Sequence, residues 1–468
     1  VQGPIYLTED IRRIEEASLG AAPPLMERAG AAAAELAAKL IAETSKDILV
    51  LAGPGNNGGD ALIAAKLLAQ RFFRVTIVKR PEELPAGKHW GLVIDGLFGI
   101  GLVRPVEGDY AKLVEYANHQ RCPVLALDMP SGIQSDTGRV LGVAVRATHT
   151  ITFIALKPGL LTLDGPGHSG EVSVADLGLA VKEIIPPGAW ISDPDLFRST
   201  LKPRPRNFHK GMAGSLGILG GAPGMTGAAL LAGRAALKLG AGRVYVGLLE
   251  EHSIKVDLAA PELMLRRAED VLGLDLDAVL AGPGLSTSQH AATLVGAVLA
   301  SDMPCVLDAD ALNLMADDEN LADACERRTA DTVLTPHPAE AARLLDTSVA
   351  EVQANRIAAA QRIARTFNAH VVLKGNGSVL AARDGHWFIN ASGNPGMASA
   401  GMGDVLAGIL GALLAQRYSG ETSLVLGVHL HGAAADTLVR SGTGPAGLTA
   451  GELIEPARRL WNEWLSHD

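Results

Sequence analysis

Cysteine is nearly absent. Cys122, Cys305 and Cys325 are the three in 468 residues. So few, far apart and odd in number, they exclude a disulfide framework and a cysteine-based zinc site, and they suit a reducing cytoplasm. Basic residues are in deficit: 41 Lys and Arg against 51 Asp and Glu, a formal net charge of −10. That balance argues against a broad nucleic-acid or anionic-membrane surface, because both need clustered Lys and Arg. Long apolar runs are missing too. The run from Val405 to Ala415 falls short of the ~20 residues a bilayer requires. Glu9, Asp10, Arg12 and Arg13 stand where a signal peptide would need an apolar core, so a cytoplasmic protein is expected. Aromatics are only 4%, whereas glycine numbers 53. Abundant glycine supplies tight turns and close backbone approaches, a feature of phosphate-handling α/β enzymes.

Length sets a soft expectation of two large domains or three of about 150 residues. Apolar strands alternate with Ala- and Leu-rich helices over the first two hundred residues. DILVLAG (47–53), RVTIVK (74–79), LVIDG (92–96), PVLALD (123–128), THTITFIAL (148–156) and EVSVADL (171–177) read as strands. Segments 24–43, 61–72 and 109–120 read as helices. Buried strands alternating with helices predict a mainly parallel sheet covered on both faces. Segment 186–211 holds five prolines and no apolar period, and reads as a connector. The alternation restarts at SLGILGG (215–221), and three helices near 404–416, 421–439 and 450–465 close the chain. Residues 1–200 and 207–468 are the expected domains.

The strand 47–53 feeds Gly53-Pro54-Gly55-Asn56-Asn57-Gly58-Gly59-Asp60 and then an apolar helix. A glycine turn at a helix N-terminus exposes N–H groups at the positive end of the dipole, which suits phosphate. The turn lacks the Gly-Lys-Ser/Thr of a Walker loop and only mimics the dinucleotide fingerprint. A plain turn with left-handed Asn is the bland alternative. Two amides and a carboxylate exceed what such a turn needs. Asp95 and the loop Gly99-Ile100-Gly101 follow another strand, and Asp128 and Ser131 a third. Ligands of open parallel sheets bind at the carboxyl ends of strands. Asn57, Asp95 and Ser131 would offer oxygen to a hard cation there, and Asp128 a carboxylate able to move a proton.

In the second half, Gly401-Met402-Gly403-Asp404 opens a long helix. Bare N–H groups there form an anion hole, and Asp404 could take a proton from a hydroxyl attacking a phosphoryl group. A capping Asp on a core helix is the bland alternative. Asp308, Thr335-Pro336-His337, Lys374-Gly375-Asn376-Gly377-Ser378 and Asn394-Pro395-Gly396 end further strands or lead into the same helix.

GPGNNGGDALIAAKLL, DGLFGIG, ALDMPSGIQSDTG and ITFIALKPGL resemble the NAD(P)HX epimerase domain, across roughly residues 5–200. HKGMAGSLGILGGAPGMTGAA, AGPGLS, DADALN, TPHPAEAARLL, LKGNGSVLA and NPGMASAGMGDVLAGILGALLAQ resemble the ribokinase-like NAD(P)HX dehydratase domain, across about 207–466. Together they resemble the bifunctional NAD(P)H-hydrate repair family. The resemblance implies a Rossmann-like three-layer first domain and a ribokinase-like second domain. It implies epimerisation of R- and S-NAD(P)HX, and nucleotide-dependent dehydration of the S form to NAD(P)H, AMP and phosphate when ADP is used. NADHX or NADPHX and ADP or ATP would be the partners, with Mg²⁺ accompanying the nucleotide. A homo-oligomer is expected.

By the same resemblance, Asn56, Asn57, Gly58, Gly59 and Asp60 hold the epimerase substrate, together with Gly99, Ile100, Gly101, Leu102, Val103, Arg104 and Pro105. Asn57, Asp95 and Ser131 ligate potassium, and Asp128 is the acid/base. Asp404 is the dehydratase base. Ala228, Gly284 and His337 contact the hydrated cofactor. Lys374, Gly375, Asn376, Gly377, Ser378 and Gly403 contact the nucleotide. The loop Gly224-Met225-Thr226-Gly227 departs from the Thr-Ala-Gly expected there.

His429 and His431, two apart on a helix, point to different faces and do not suggest a shared metal. Trp461 and Trp464 read as packing anchors. Lys202, Arg204, Arg206 and Lys210 read as a solvated cluster or an interdomain contact. A ribokinase-like vitamin or sugar kinase with an accessory nucleotide-binding domain is the alternative function.

Overall fold

The computed structural model describes residues 2–41, 43, 45–201, 203–249 and 254–466. It divides into two compact units, Val1–Ile191 and Ser192–Asp468. Among the described residues no helix is long and apolar enough to cross a membrane.

In the first unit β1 (Asp47–Ala52), β2 (Arg74–Val78), β3 (Leu92–Gly96), β4 (Val124–Leu127), β5 (His149–Phe153) and β6 (Glu171–Ala175) form one sheet. Its order is β2-β1-β3-β4-β5-β6, and every pairing is parallel. Side chains alternate across the sheet, as a strand dictates. Ile48, Val50 and Ile94 enter one core with the helices Leu25–Ile41 and Asn56–Gln70. Leu49, Leu51 and Val93 enter the other core with Leu113, Val114 and Ala117 of the helix Gly108–Asn118. Both faces are thereby covered, giving three layers. The order reverses between β1 and β3, a switch point where loops part and leave a crevice. β7 (Ala189–Ile191) ends this unit, its Ala189 carbonyl accepting from Ile5 N at 2.9 Å.

The second unit holds β8 (Ser215–Gly220), β9 (Arg243–Leu248), β10 (Met264–Arg267), β11 (Ala278–Ala281), β12 (Cys305–Leu307), β13 (Thr332–Leu334), β14 (His370–Leu373), β15 (Ser378–Ala381) and β16 (Trp387–Asn390). They run in the order β10-β9-β8-β11-β12-β13-β14-β15-β16. Pairings are parallel from β10 to β14 and antiparallel for the last two steps. The helix Met402–Ala415 is buried along nearly its whole length. That is why its residues are apolar on every side.

Several expectations change. The helix expected from 61 begins at Asn56, so the second half of the glycine turn is its first turn. Helix Thr8–Ala17 and strands β10 and β16 were not anticipated from the sequence. Segment 186–211 is not a bare connector. Ser192 N and Oγ donate to Ile389 O (2.8 Å) and Val425 O (3.2 Å), and Phe197 is buried against the rings of His429 and Trp464. One aromatic anchor in a proline-rich stretch suffices to dock it and carries no periodic signal. Arg204 donates to Gly240 O and Gln416 Oε1, both at 2.7 Å, so it serves its own unit. Lys202 lies outside the described residues.

Candidate active sites

The first site forms where β1, β3, β4 and β5 end. Glycines let the first two turns touch. A Cβ at Gly53 would fall 1.8 Å from Leu97 O, and one at Gly58 would fall 2.0 Å from Gly53 O. No other residue fits either position. A cavity of about 670 Å³ opens beside them, lined among others by Glu15, Asn57, Asp60, Gly99, Asp128 and Lys157. Asn56 and the loop from Gly99 to Leu102 also line it. Gly58 and Gly59 stand in the helix turn behind, Gly59 facing Met26. Val103, Arg104 and Pro105 continue the loop in solvent, away from the cavity lining.

Asn57, Asp95 and Ser131 come together through Phe98. Asn57 Nδ2 and Ser131 Oγ both meet Phe98 O, at 2.9 and 3.2 Å. Ser131 Oγ and N donate to the two oxygens of Asp95 at 2.6 and 2.8 Å. Asp95 is fully buried, and that burial pushes its carboxyl up to about 6, against the pull of the Ser131 and Leu97 hydrogen bonds. Asn57 Oδ1 is buried with no hydrogen-bond partner among the described residues. A buried orphan oxygen beside a desolvated carboxylate is an oxygen donor set that suits a hard cation.

Asp128 takes a left-handed backbone (φ 63°) directly after β4, which turns its side chain into the cavity. Lys157 Nζ lies 2.5 Å from Asp128 Oδ1, with a side chain only 1% exposed. Asp60 is buried, and burial with the neighbouring Asp128 and Glu15 pushes it up to about 8. Burial and Asp128 also raise Glu15, while Lys157 and Arg12 lower it. The cavity therefore holds Asp60, a carboxyl inclined to keep its proton, beside the Lys157–Asp128 contact. Sequence reasoning passed over Lys157 and Glu15. The signal for Lys157 was there: one lysine in the apolar run ITFIALKPG must be buried, and a buried ammonium needs an anion.

The second site gathers at the ends of β12, β13 and β14 and at the start of helix Met402–Ala415. Gly401, at φ 86°, is the residue before that helix, and Asp404 stands in its first turn. Lys374 Nζ lies 3.0 Å from Asp308 Oδ1 and 4.0 Å from Glu340 Oε2. A Cβ on Gly403 would sit 3.3 Å from Lys374 Nζ, so bare backbone there keeps the ammonium against the helix terminus. Thr335 Oγ1 donates to Asp308 Oδ1 at 2.5 Å. Burial and Asp308 push Asp404 up to about 6, with Lys374 opposing and Asp310 assisting. Burial works against the Lys374 ammonium, yet Asp308, Glu340 and Asp404 raise it.

His337 caps the helix Pro338–Leu344, its Nδ1 accepting from Ala339 N at 3.1 Å, and its side chain is half exposed. Gly284, at φ 60°, faces the loop Gly224–Gly227: a Cβ there would fall 2.7 Å from Met225 Cβ and 3.4 Å from Ala228 Cβ. Gly284 and Ala228 are thus neighbours. The turn Lys374–Ser378 rests on buried Arg356, which donates to Leu373 O (3.1 Å) and Gly377 O (3.4 Å). Burial lowers that guanidinium to about 10. Asp308, Glu340 and Arg356 were given no role from sequence. A buried Arg inside an amphipathic helix pattern looks like any exposed one.

Comparisons with known proteins agree with this division. The family described as NAD(P)H-hydrate dehydratase matches residues 216–456. The family described as YjeF-related protein N-terminus matches residues 23–91 and 77–159. The bifunctional NAD(P)H-hydrate repair enzyme of Escherichia coli K12 is 36% identical, over 98% of this chain and 94% of that one. Its Coxiella burnetii counterpart is 36% identical, over 98% and 99%. Among solved structures, the ADP/ATP-dependent NAD(P)H-hydrate dehydratase of Bacillus subtilis, co-crystallised with ATP and Mg²⁺, is 30% identical. It covers 58% of this chain and 98% of its own, with a TM-score of 0.51. A ribokinase-like superfamily protein from Enterococcus faecalis matches at 25% identity and TM-score 0.51, over 59% of this chain and 96% of its own.

Proposed function

Because the chain belongs to the family of bifunctional NAD(P)H-hydrate repair enzymes, we propose that its two cavities divide the work. The first unit, Rossmann-like, interconverts the R and S hydrates of NADH or NADPH. The second, ribokinase-like, dehydrates the S hydrate at the expense of a nucleotide carried with Mg²⁺. ADP is the nucleotide proposed, giving AMP and phosphate. The domains expected from sequence, residues 1–200 and 207–468, are proposed to carry the first and the second activity.

In the first site Asp128 is the acid/base. A proton from the carboxyl goes to the hydroxyl on the ring carbon, and the C–O bond breaks as the ring nitrogen's lone pair forms a C=N bond. Water adds to either face of that bond, and the carboxylate recovers the proton. Asn56–Asp60 and the loop from Gly99 hold the dinucleotide. Asn57, Asp95 and Ser131 would hold potassium, whose charge supplies electrostatic stabilisation at the turn; the orphan Asn57 Oδ1 supports this.

In the second site Asp404 takes the proton of the hydroxyl as that oxygen attacks the nucleotide's terminal phosphorus. AMP departs from ADP, and phosphate then leaves the ring carbon while a proton is lost from its neighbour, restoring the reduced dinucleotide. Phosphate is a far better leaving group than hydroxide. Lys374 and the N–H groups around Gly403 face the transferring charge. Gly375–Ser378 line the nucleotide, and Gly284, Ala228 and His337 the hydrate.

The observation that carries this reading is Asp404 at a helix N-terminus, raised to about 6 and set beside the Lys374–Asp308 pair. Purified protein mixed with hydrated NADH, Mg²⁺, K⁺ and either ADP or ATP should restore the reduced-nicotinamide absorbance. No return with either nucleotide refutes it.

A further inference from the structure

Lys157 Nζ makes three short contacts: Asp128 Oδ1 at 2.5 Å, Phe153 O at 2.6 Å and Thr152 Oγ1 at 2.9 Å. An ammonium has three protons. All three are engaged inside the protein, so none remains for substrate. The contacts on Asp128 are one-sided. Lys157 Nζ, Phe153 N (3.3 Å) and Thr152 Oγ1 (3.4 Å) all meet Oδ1. Oδ2 lies on the other side, where a Cβ on Gly99 would come within 3.2 Å of it. Gly99 is part of the cavity wall.

We propose that Lys157 is a positioning residue for epimerisation: it pins Asp128 through Oδ1 and so leaves Oδ2 as the oxygen that exchanges the proton with the hydrate. The inference rests on the reading of Asp128 as the acid/base. Lys157 also supplies the cation that a crowded acidic cavity requires. Glu15 and Glu16 enter from the helix Thr8–Ala17, with Arg12 beside them, and Asp60 from the helix Asn56–Gln70. Without the ammonium, the four carboxyl groups of Glu15, Glu16, Asp60 and Asp128 share the cavity with exposed Arg12 as the one cation among its described lining residues. Such a site takes up a proton more readily.

The test uses the full chain and a mixture enriched in the R hydrate, following conversion to S chromatographically. The wild-type rate, measured first, tests the epimerase reading by itself. Given that rate, Lys157→Met should lower kcat about tenfold or more with little change in KM, as expected for a lost general acid–base contribution. The loss should shrink toward high pH, because without the ammonium the Asp128 carboxyl keeps its proton longer, the alkaline limb moving up by about one unit or more. Lys157→Arg should keep the wild-type limb. In an Asp128→Asn background Lys157→Met should cost nothing further, because it acts only through that carboxylate. ADP-driven dehydration of the S hydrate by the same molecules reports on the second unit, and NADPH binding on the first. An unchanged kcat, a loss equal at every pH, or an undiminished loss in the Asp128→Asn background overturns the proposal. Should Lys157→Met fail to bind NADPH, Lys157→Arg decides: an inactive Lys157→Arg that binds NADPH normally overturns it, and one with the wild-type alkaline limb supports it.

Discussion

Lys374 Nζ sits 3.0 Å from Asp308 Oδ1, and the same Asp308 carboxylate raises Asp404 across the site. One buried anion therefore serves two neighbours: it holds the cation and adds to the burial that raises Asp404. As the proposed base, Asp404 must be ionised to accept a proton, so dehydratase kcat/KM should fall as pH drops through about 6. Asp308→Asn removes a raising influence and should move that acidic limb downward. Steady-state rates across the acid range check both statements.

In the proposed division the two units carry separate chemistry, so their carboxylates should be separable by mutation. Asp128→Asn should stop epimer exchange while ADP-driven consumption of the S hydrate continues. Asp404→Asn should do the reverse. Losses of roughly 10²–10⁴-fold are expected for a general acid or base. Loss of both activities in either folded variant would contradict the division.

Asp60 adds a pH dependence to stability. Its carboxyl titrates at about 8 in the fold against an ordinary 3.8. Below the ordinary value both folded and unfolded chains are protonated, and the contribution is fully present. Between the two values the unfolded chain ionises first, so stability is lost as pH rises toward 8, and the loss then levels off. Asp60→Asn cannot ionise. Thermal melts from acid to mildly alkaline pH should show the variant gaining on the wild type as pH increases.

Two glycines beside the first cavity should respond differently to the same added methyl. Gly53→Ala sets a Cβ 1.8 Å from Leu97 O, a backbone clash that neither turn can avoid. It should cost about 1–3 kcal/mol of stability, as overpacking does, seen as a lower urea midpoint. Gly99→Ala meets no backbone among its nearest neighbours, which are Asp128 Oδ2 at 3.2 Å and Asn57 Cγ and Cβ at 3.4 and 3.5 Å. It should leave the urea midpoint nearly unchanged and lower the epimerase rate.

Much of the architecture was legible in the linear pattern. Parallel strands buried on both faces are continuous apolar runs, and β1, β3 and β4 stood out for that reason. Short or half-exposed strands such as β10 lack that mark; its residues are intermediate or exposed. The segment after Ile191 misled because docking by Phe197 needs one ring and no repeat.

The sequence by itself determined which chemistry-bearing residues end which strands, because a parallel sheet delivers every strand's carboxyl end to one edge. Asn57, Asp95, Asp128 and Ser131 on one side, and Lys374 and Asp404 on the other, could be named from that rule and from glycine spacing. Tertiary structure alone decided their partners and charge states. Asp128 meets Lys157 across 29 residues and Lys374 meets Asp308 across 66. Burial is what sets Asp60 at about 8 and Asp404 at about 6. Desolvation and long-range ion pairing depend on what packs around a group, and no local pattern in the chain encodes that.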